Sequence, residues 1–197
     1  EMNQIERDFY EAITEEVRNY CEALDSPTGF MLTIPQREMS SCIAAACRSW
    51  AERLDPMEQS HEILFENYGS TELEQHHAPK IGPLLQKLIA ASNAIGNHST
   101  LYKVDSKYSA FISNLKKYWD ENQGKKVVLF SFYRKTLRYL EERLKLEGIN
   151  SVVVYGGMDK QEALARFKDV NGPNILLSSE VASEGVDLQF SSLIINY

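Results

Sequence analysis

"KVVLFSFYRKTLRYLEERLKLEGINSVVVYGG", residues 126–157, holds two short apolar runs with an amphipathic stretch between them. The runs, residues 126–132 and 151–155, are rich in Val, Leu and aromatic residues, which is typical of strands buried on both faces of a sheet. Between them a leucine recurs every three or four residues from Leu137 to Leu144, as on one face of a helix. A strand, a helix and a second strand predict a right-handed crossover within a parallel sheet.

The same alternation continues along the rest of the chain. A helix is predicted over residues 159–167, because the sequence Asp-Lys-Gln-Glu at its start is similar to a capping box. Two further strands are predicted over residues 174–179 and 192–196, and a helix over residues 108–119 precedes the first strand. We therefore expect an α/β fold in which helices flank a parallel sheet.

The first half of the chain has helical patterns instead. Apolar residues recur at steps of three and four over residues 5–24 and again over residues 39–54, where Pro35 is expected near the start of the helix. Residues 55–79 are polar and acidic without a period, which predicts a loop, and residues 84–89 predict another short helix. The expected organisation is a helical segment over residues 1–100 and an α/β segment over residues 101–197.

The charge is distributed unevenly between these two segments. The net charge is −7, but residues 1–100 contain 7 Lys and Arg against 16 Asp and Glu, whereas residues 101–197 contain 14 against 12. An acidic surface repels the phosphate backbone, which argues against strong nucleic-acid binding by the first segment alone. An anion is expected to meet the second segment, around Lys125, Lys126, Arg134, Lys135 and Arg138.

The compartment is inferred from the cysteines and from the absence of targeting patterns. Cys21, Cys42 and Cys47 form no Cys-x-x-Cys pair, and buried reduced thiols are the expected state. No apolar run approaches the length of a membrane span, and no secretion signal opens the chain. These features predict a cytoplasmic protein without a membrane partner.

The loops that follow the strands are the expected ligand-binding positions, because ligands meet parallel sheets at the carboxyl ends of strands. These loops are residues 131–135, 156–159 and 178–187. Ser131 is predicted to cap the following helix, which places Arg134 and Lys135 in its first turn. Cations there oppose the helix macrodipole, and a bound phosphate would reverse that penalty. The alternative is that both side chains simply reach water. Phe132 and Tyr133 could stack on bases, although core packing is the favoured interpretation.

A complete nucleotide-hydrolysis site is missing from the sequence. No G-x-x-x-x-G-K-[ST] loop is present, and no Asp-Glu pair follows an apolar strand as a magnesium-binding carboxylate would. No metal site is predicted from the His and Cys spacing either. The chain is therefore not expected to hydrolyse a nucleoside triphosphate by itself.

Two stretches resemble motifs of the superfamily-two helicases and translocases. Residues 125–149, "KKVVLFSFYRKTLRYLEERLKLEGI", resemble motif IV, and residues 175–197, "ILLSSEVASEGVDLQFSSLIINY", resemble motif V with the strand after it. The form Ser-Glu-Val-x-Ser-Glu-Gly in the latter is similar to the SWI/SNF-type ATPases, especially the bacterial branch that includes the RNA-polymerase recycling ATPase. More loosely, residues 5–20 and 35–42 resemble the helical stretch that joins the two motor lobes of this family.

The resemblance implies that the second segment is a truncated second RecA-like lobe and assigns residues to two roles. The residues expected to contact nucleic-acid phosphates are Ser131, Arg134, Lys135, Gly157 and Ser179. The residues expected on the nucleotide side are Glu184, Gly185 and Asp187. Gly185 would permit a tight turn and Asp187 would accept a hydrogen bond near the ribose, whereas Glu184 stands where many helicases have arginine. The alternative is a connecting turn with solvated carboxylates.

The resemblance also implies cofactors and partners. The chain is expected to be a fragment that stops before the arginine-finger motif and is inactive alone. In the parent protein, ATP and Mg²⁺ would be held mainly by a first RecA-like lobe, which is the expected intramolecular partner. DNA is the expected substrate, which suggests association with the bacterial nucleoid, and RNA is the alternative. A non-catalytic module whose acidic helical half binds a protein is the alternative of another class.

Overall fold

A computed structural model of the chain describes residues 1–23, 28–53, 78–95, 98–156, 158–179 and 191–197. Contacts between these residues divide the chain into two compact units, residues 1–107 and residues 108–197. The first unit is helical and the second contains the sheet.

The helical unit consists of amphipathic helices packed around one aromatic and aliphatic core. Its described helices are α1 (Gln4–Ala23), α2 (Thr28–Ser41), α3 (Ile43–Arg53), α4 (Ala78–Ile95) and α5 (His98–Val104). Phe9 of α1 and Trp50 of α3 are fully buried and stack with their centroids 6.3 Å apart. The indole N–H of Trp50 donates to the buried carboxylate of Glu38 at 2.7 Å, which satisfies the polar atom of this core residue.

The first half is helical as predicted, but the helix bounds differ from the expectation, and the predicted helix over residues 39–54 is divided between α2 and α3 at Cys42. Pro35 lies inside α2 rather than at a helix start. Helix α4 is longer than the predicted short helix and includes residues 78 and 79 of the predicted loop. Residues 55–77 of that loop lie outside the described part of the chain. The local preference of Pro35 for a helix start did not decide the bounds of α2, because tertiary packing of a helix outweighs the preference of a single residue.

All three cysteines are buried and free, as the sequence predicts. Burial raises the pKa of each thiol, since the thiolate is poorly solvated there, and for Cys42 the charge of Asp105 adds to this effect. These thiols therefore act as small apolar core groups.

The described residues of the second unit form a four-stranded parallel sheet with helices, as expected. Its elements are α6 (Ser106–Glu121), whose first two residues belong to the helical unit, β1 (Val127–Phe130), α7 (Arg134–Leu146), β2 (Ser151–Val154), α8 (Lys160–Lys168), β3 (Ile175–Ser178) and β4 (Leu193–Asn196). The strand order is β2-β3-β1-β4, and all pairs are parallel. In β1, Val127 pairs with Ile175 of β3 on one side and with Leu193 of β4 on the other.

The burial of each strand follows its place in the sheet. Central strand β3 is buried along its whole length, and β1 is buried except at Phe130, whereas β2 and β4 at the edges alternate. Phe167 of α8 packs into a cluster with Val128, Val152 and Leu176. The leucines of α7 that the sequence placed on one helical face are fully buried. The apolar runs of β1 and β3 therefore mark strands that are covered on both sides. The expectation that residues 151–155 are also buried on both faces is wrong, because β2 lies at an edge of the sheet.

The residues at two helix ends have the roles that the sequence predicts. Asp159 caps α8, and its carboxylate accepts from the backbone N–H of Gln161 at 2.9 Å and of Glu162 at 3.2 Å. Gly148 follows α7 with φ of 74°, a left-handed conformation in which a residue with a Cβ would be strained. None of the described helices has the length and apolar character needed to cross a membrane.

A lysine at the start of β1 connects the amino edge of the sheet to the loop before β3. The ammonium of Lys126 donates to the carbonyls of Asp169, Gly172 and Pro173 at 2.8, 3.2 and 3.0 Å. It also lies 5.5 Å from the centroid of the Phe167 ring. Burial lowers the pKa of Lys126, and the nearby charge of Asp169 opposes this effect. An ammonium has three N–H donors, so its hydrogen-bonding capacity is used within the fold.

Candidate functional site

The carboxyl edge of the sheet brings together residues that are distant in sequence. Ser131 directly follows β1 and Ser179 directly follows β3. The backbone N–H of Ser131 donates to the carbonyl of Ser178 at 3.1 Å, and that of Ser179 donates to the carbonyl of Val154 at 3.1 Å. The ends of three neighbouring strands are thus held by one hydrogen-bond ladder, which provides a rigid base for the loops above it.

Both predicted serines are largely buried at this edge. Ser131 is 2% exposed and Ser179 is 6% exposed. The hydroxyl of the neighbouring Ser178, itself buried, donates to the carbonyl of Ser179 at 3.1 Å. The structure therefore brings the two serines together beneath the edge and leaves little of either at the surface.

The predicted capping role of Ser131 is wrong. Helix α7 begins at Arg134, and its N-cap is Tyr133, with φ of −95° and ψ of 123°, whose side chain makes no cap hydrogen bond. The carbonyl of Tyr133 accepts from the backbone N–H of Thr136 at 3.0 Å and of Leu137 at 3.2 Å. Ser131 extends the strand ladder instead, and it lies two residues too early to reach the free N–H groups of the first turn.

Arg134 and Lys135 occupy the first two positions of α7, as predicted, and both are partly exposed. The guanidinium of Arg134 donates from Nη2 to the carbonyl of Gly156 at 2.9 Å and lies 5.0 Å from the centroid of the Tyr155 ring. A Cβ added to Gly156 would lie 3.0 Å from the same Nη2. The glycine therefore leaves room for the guanidinium to approach the backbone.

Two further residues complete this cluster: Arg138, which was expected only as part of the wider basic group, and Tyr155, which was not expected at the site. Arg138, one turn after Arg134, lies 5.7 Å from the centroid of the Tyr155 ring, and its Nη2 donates to the Tyr155 hydroxyl at 3.4 Å. Tyr155 directly follows β2. The spacing of four residues between the arginines was visible in the sequence, but the ring that both contact comes from the next strand, so only the fold brings them together.

The aromatic pair before α7 divides between core and surface. Tyr133 is buried, which confirms its predicted core packing, whereas Phe132 is 49% exposed, so the same prediction is wrong for Phe132. The two rings meet edge to face with their centroids 5.1 Å apart. An exposed aromatic ring therefore lies in the same loop as the cationic start of α7.

The remaining predicted site residues, Gly157, Glu184, Gly185 and Asp187, lie outside the described part of the chain. Among the residues that the structure does describe, no group of three or more His, Cys, Asp or Glu side chains is placed to hold a metal ion.

The second unit is similar to known proteins. Residues 106–197 match the family model of the helicase conserved C-terminal domain. The yeast "ATP-dependent RNA helicase DBP3" (Saccharomyces cerevisiae) is 34% identical over 86 residues, which cover 42% of this chain and 16% of that protein. The "Pre-mRNA-splicing ATP-dependent RNA helicase PRP28" of Meyerozyma guilliermondii is 29% identical over 90 residues, which cover 44% of this chain and 16% of that protein. The chain thus spans about a sixth of the length of these relatives.

Solved structures show the same fold. The "C-terminal part of Fun30 ATPase domain" matches with a TM-score of 0.55 at 19% identity and covers 100% of this chain and 72% of that chain. The "Pyrococcus furiosus Hef helicase domain" also matches with a TM-score of 0.55, at 15% identity, and covers 100% of this chain and 47% of that chain. The expected RecA-like parallel sheet with flanking helices is confirmed, and residues 106–197 match the model of the helicase conserved C-terminal domain.

Proposed function

We propose that the second unit is the C-terminal motor lobe of an ATP-dependent helicase or translocase. In this role it supplies contacts to a nucleic-acid backbone and one wall of an ATP site between two lobes. The observation that carries the proposal is the match of residues 106–197 to the helicase C-terminal domain. The cationic loops at the carboxyl edge of the sheet agree with it, because parallel sheets bind ligands there.

The chemistry of phosphoryl transfer explains why another lobe is needed. Hydrolysis requires a cradle for the triphosphate, carboxylates for Mg²⁺ and an arginine that stabilises the transferring phosphoryl group. The sequence contains no P-loop and no Asp-Glu pair after an apolar strand. ATP and Mg²⁺ would therefore be held mainly by a first RecA-like lobe, and Glu184, Gly185 and Asp187 would close the site from this side.

The nucleic-acid contact is assigned to the loop after β1. Arg134 and Lys135 begin α7, where a phosphate would be attracted both by their charges and by the start of the helix. Ser131, Ser179 and Gly157 are assigned to the same phosphate contact. Because the two serines are largely buried, only a phosphate that lies close to the protein backbone would reach them. Opening and closing of the ATP cleft would then move this surface along the nucleic-acid strand.

DNA is the first candidate substrate, because the Ser-Glu-Val-x-Ser-Glu-Gly form is similar to the SWI/SNF-type ATPases. RNA is the second candidate, and the observation that favours it is that the relatives described above carry the name RNA helicase. Their matches cover less than half of this chain, whereas the fold match to the Fun30 fragment includes the helical unit. We assign that unit, about residues 1–100, to the connection between the motor lobes.

The test uses the full-length protein and oligonucleotides of one sequence as single-stranded DNA, duplex DNA and RNA. We expect ATP turnover to rise with one of these nucleic acids. We also expect the double variant Arg134→Ala/Lys135→Ala to lower the slope of log affinity against log salt by about 1–2, because one or two phosphate contacts disappear. Lys145→Ala, in the last turn of α7, is the control for loss of charge.

The outcomes separate the candidates. Stimulation by DNA alone supports the first substrate and stimulation by RNA alone supports the second. A protein whose turnover responds to neither nucleic acid, but which binds a protein partner independently of ATP, would be the interaction module and would overturn the proposal. An unchanged salt slope in the double variant would remove Arg134 and Lys135 from the path of the strand.

A further inference from the structure

Two arginines of α7 face one tyrosine ring at the carboxyl edge of the sheet. The guanidinium carbons of Arg134 and Arg138 lie 5.0 and 5.7 Å from the centroid of Tyr155. Each arginine also donates a hydrogen bond to this segment, Arg134 to the carbonyl of Gly156 and Arg138 to the phenol oxygen. The contacts join the first turns of α7 to the end of β2.

This arrangement opposes the electrostatic preference of the arginines. Like charges four residues apart on a helix repel each other, so two unrestrained guanidinium groups would point apart. The face of an aromatic ring attracts cations through its quadrupole, and one ring within 6 Å of both groups offsets that repulsion. Tyr155 can do this because Val154 before it is paired in the sheet with Ser178, which fixes the position of the backbone.

We propose that Tyr155 is a positioning residue that holds Arg134 and Arg138 as a two-guanidinium clamp for the phosphates of the bound strand. The inference rests on the proposed function, to which it adds Arg138 as a contact and Tyr155 as its support. A guanidinium matches a phosphate in charge and in planar, two-pronged geometry. The arginines are four residues apart, about 6 Å along the helix axis, so they can bind the same or neighbouring phosphates.

The physical benefit of the ring is preorganisation. A free arginine side chain loses rotamer freedom when it binds a phosphate, and this loss weakens binding. Here the two side chains are already ordered against a strand end and a helix, the rigid elements on which precise binding groups are best built. Removal of the ring should therefore weaken binding even though both charges remain.

The experiment compares two substitutions of Tyr155 in the full-length protein. Tyr155→Leu keeps an apolar side chain but removes the ring and the hydroxyl, whereas Tyr155→Phe removes only the hydroxyl. Affinity is measured by fluorescence anisotropy with labelled oligo(dT) and oligo(U) over a series of salt concentrations. We expect Tyr155→Leu to lower the affinity, because the unrestrained arginines must be ordered on binding, and to lower the slope of log affinity against log salt by up to about 1 if one phosphate contact is lost. Tyr155→Phe should lose less.

A double-mutant cycle shows whether the ring acts through the arginine. If it does, Tyr155→Leu should weaken binding much less in an Arg138→Ala background than in the unmodified protein. Arg138→Lys keeps the charge but not the planar fork, so it should also weaken binding. This variant and Tyr155→Phe keep the proposal testable if thermal melting shows that Tyr155→Leu is unfolded.

Each result bears on the clamp. A folded Tyr155→Leu protein with unchanged affinity and salt slope, or effects of Tyr155→Leu and Arg138→Ala that simply add, would make Tyr155 a packing residue and overturn the inference. In that case Arg134→Ala/Lys135→Ala could still lower the slope, and the proposed function would stand. If the unmodified protein binds neither oligonucleotide, the proposed function fails and the clamp falls with it.

Discussion

The two edges of the sheet each hold cationic side chains, but in opposite ways. At the amino edge, the ammonium of Lys126 donates to three backbone carbonyls and lies over the Phe167 ring. At the carboxyl edge, Arg134 and Arg138 lie over the ring of Tyr155, and Arg134 reaches one carbonyl. The lysine supplies hydrogen-bond donors to loop carbonyls that water would otherwise have to satisfy. The arginines lie instead at the edge where parallel sheets bind ligands.

Local charge alone does not identify a binding residue. Lys125, Lys126, Arg134, Lys135 and Arg138 were one basic group in the sequence, and the anion was expected among them. The structure assigns Lys126 to the internal hydrogen bonding of the fold, which leaves it without a role at the candidate site. The difference lies in the acceptors: backbone carbonyls of a tight loop favour a compact ammonium, and an aromatic face favours a planar guanidinium.

The largest expected effect is a difference in the free energy of unfolding between substitutions at the two edges. Phe167→Ala should lower the free energy of unfolding by about 3–5 kcal/mol, because this fully buried ring fills the core beneath the Lys126 site. Phe132→Ala at the other edge is the matched control and should cost less than about 1 kcal/mol, since half of its ring is already in water. Urea unfolding of both variants measures the difference. Similar losses would show that the carboxyl edge is as much a part of the core as the amino edge.

A smaller effect tests the structural assignment of Lys126. Lys126→Ala removes a charged donor from three carbonyls and should destabilise the protein by about 1–2 kcal/mol, at the low end for charged hydrogen bonds because water can reach part of the group. Lys125→Ala changes the exposed neighbour and should be near neutral. The salt slope of nucleic-acid binding should stay the same in both variants. A lower slope in Lys126→Ala would place this lysine on the binding surface and break the comparison.

The sheet was predictable because each strand has its own signal. Apolar runs marked central and edge strands alike, and the capping residue Asp159 marked the start of α8, so these elements lie within one or two residues of their predicted ends. The runs did not show that β2 lies at an edge, because that depends on the strand order. The start of α7 was misplaced because a serine near a helix start resembles a cap in sequence, whereas the backbone of Ser131 is used by the strand ladder. Local patterns do not reveal which of two hydrogen-bonding roles a residue adopts.

The candidate site was predictable only in part. The loops at the carboxyl ends, and Arg134 and Lys135 within them, followed from the parallel topology. Arg138 was expected only as part of the basic group, and its contact with Tyr155 was not predicted, because a ring and a guanidinium from separate elements leave no common pattern in the sequence. The roles of Glu184, Gly185 and Asp187 stay predictions that rest on the family resemblance.

The smallest expected effect concerns a surface ion pair formed by Glu147, which directly follows α7. Lys116 of α6 donates to the Glu147 carboxylate at 2.7 Å, and this hydrogen bond and charge lower the pKa of Glu147 from its ordinary value of 4.5, with a smaller contribution from Arg143. A carboxyl whose pKa is lower in the folded state binds protons more readily when unfolded, so it adds stability above pH 4.5. That stability disappears as the pH falls through the lowered pKa.

Lys116→Met tests this pair because it removes the ammonium and keeps most of the side-chain length. The melting temperatures of the variant and the unmodified protein should differ slightly and constantly above pH 4.5, and they should converge at lower pH, where Glu147 is protonated in both. Added salt should shrink the difference, because the pair is exposed and therefore screened. Lys126→Ala, by contrast, should keep its effect in high salt, since its acceptors are uncharged carbonyls. If added salt reduced the effects of Lys116→Met and Lys126→Ala equally, Lys126 would be acting as an exposed surface charge. It would then no longer differ from a cation that faces solvent.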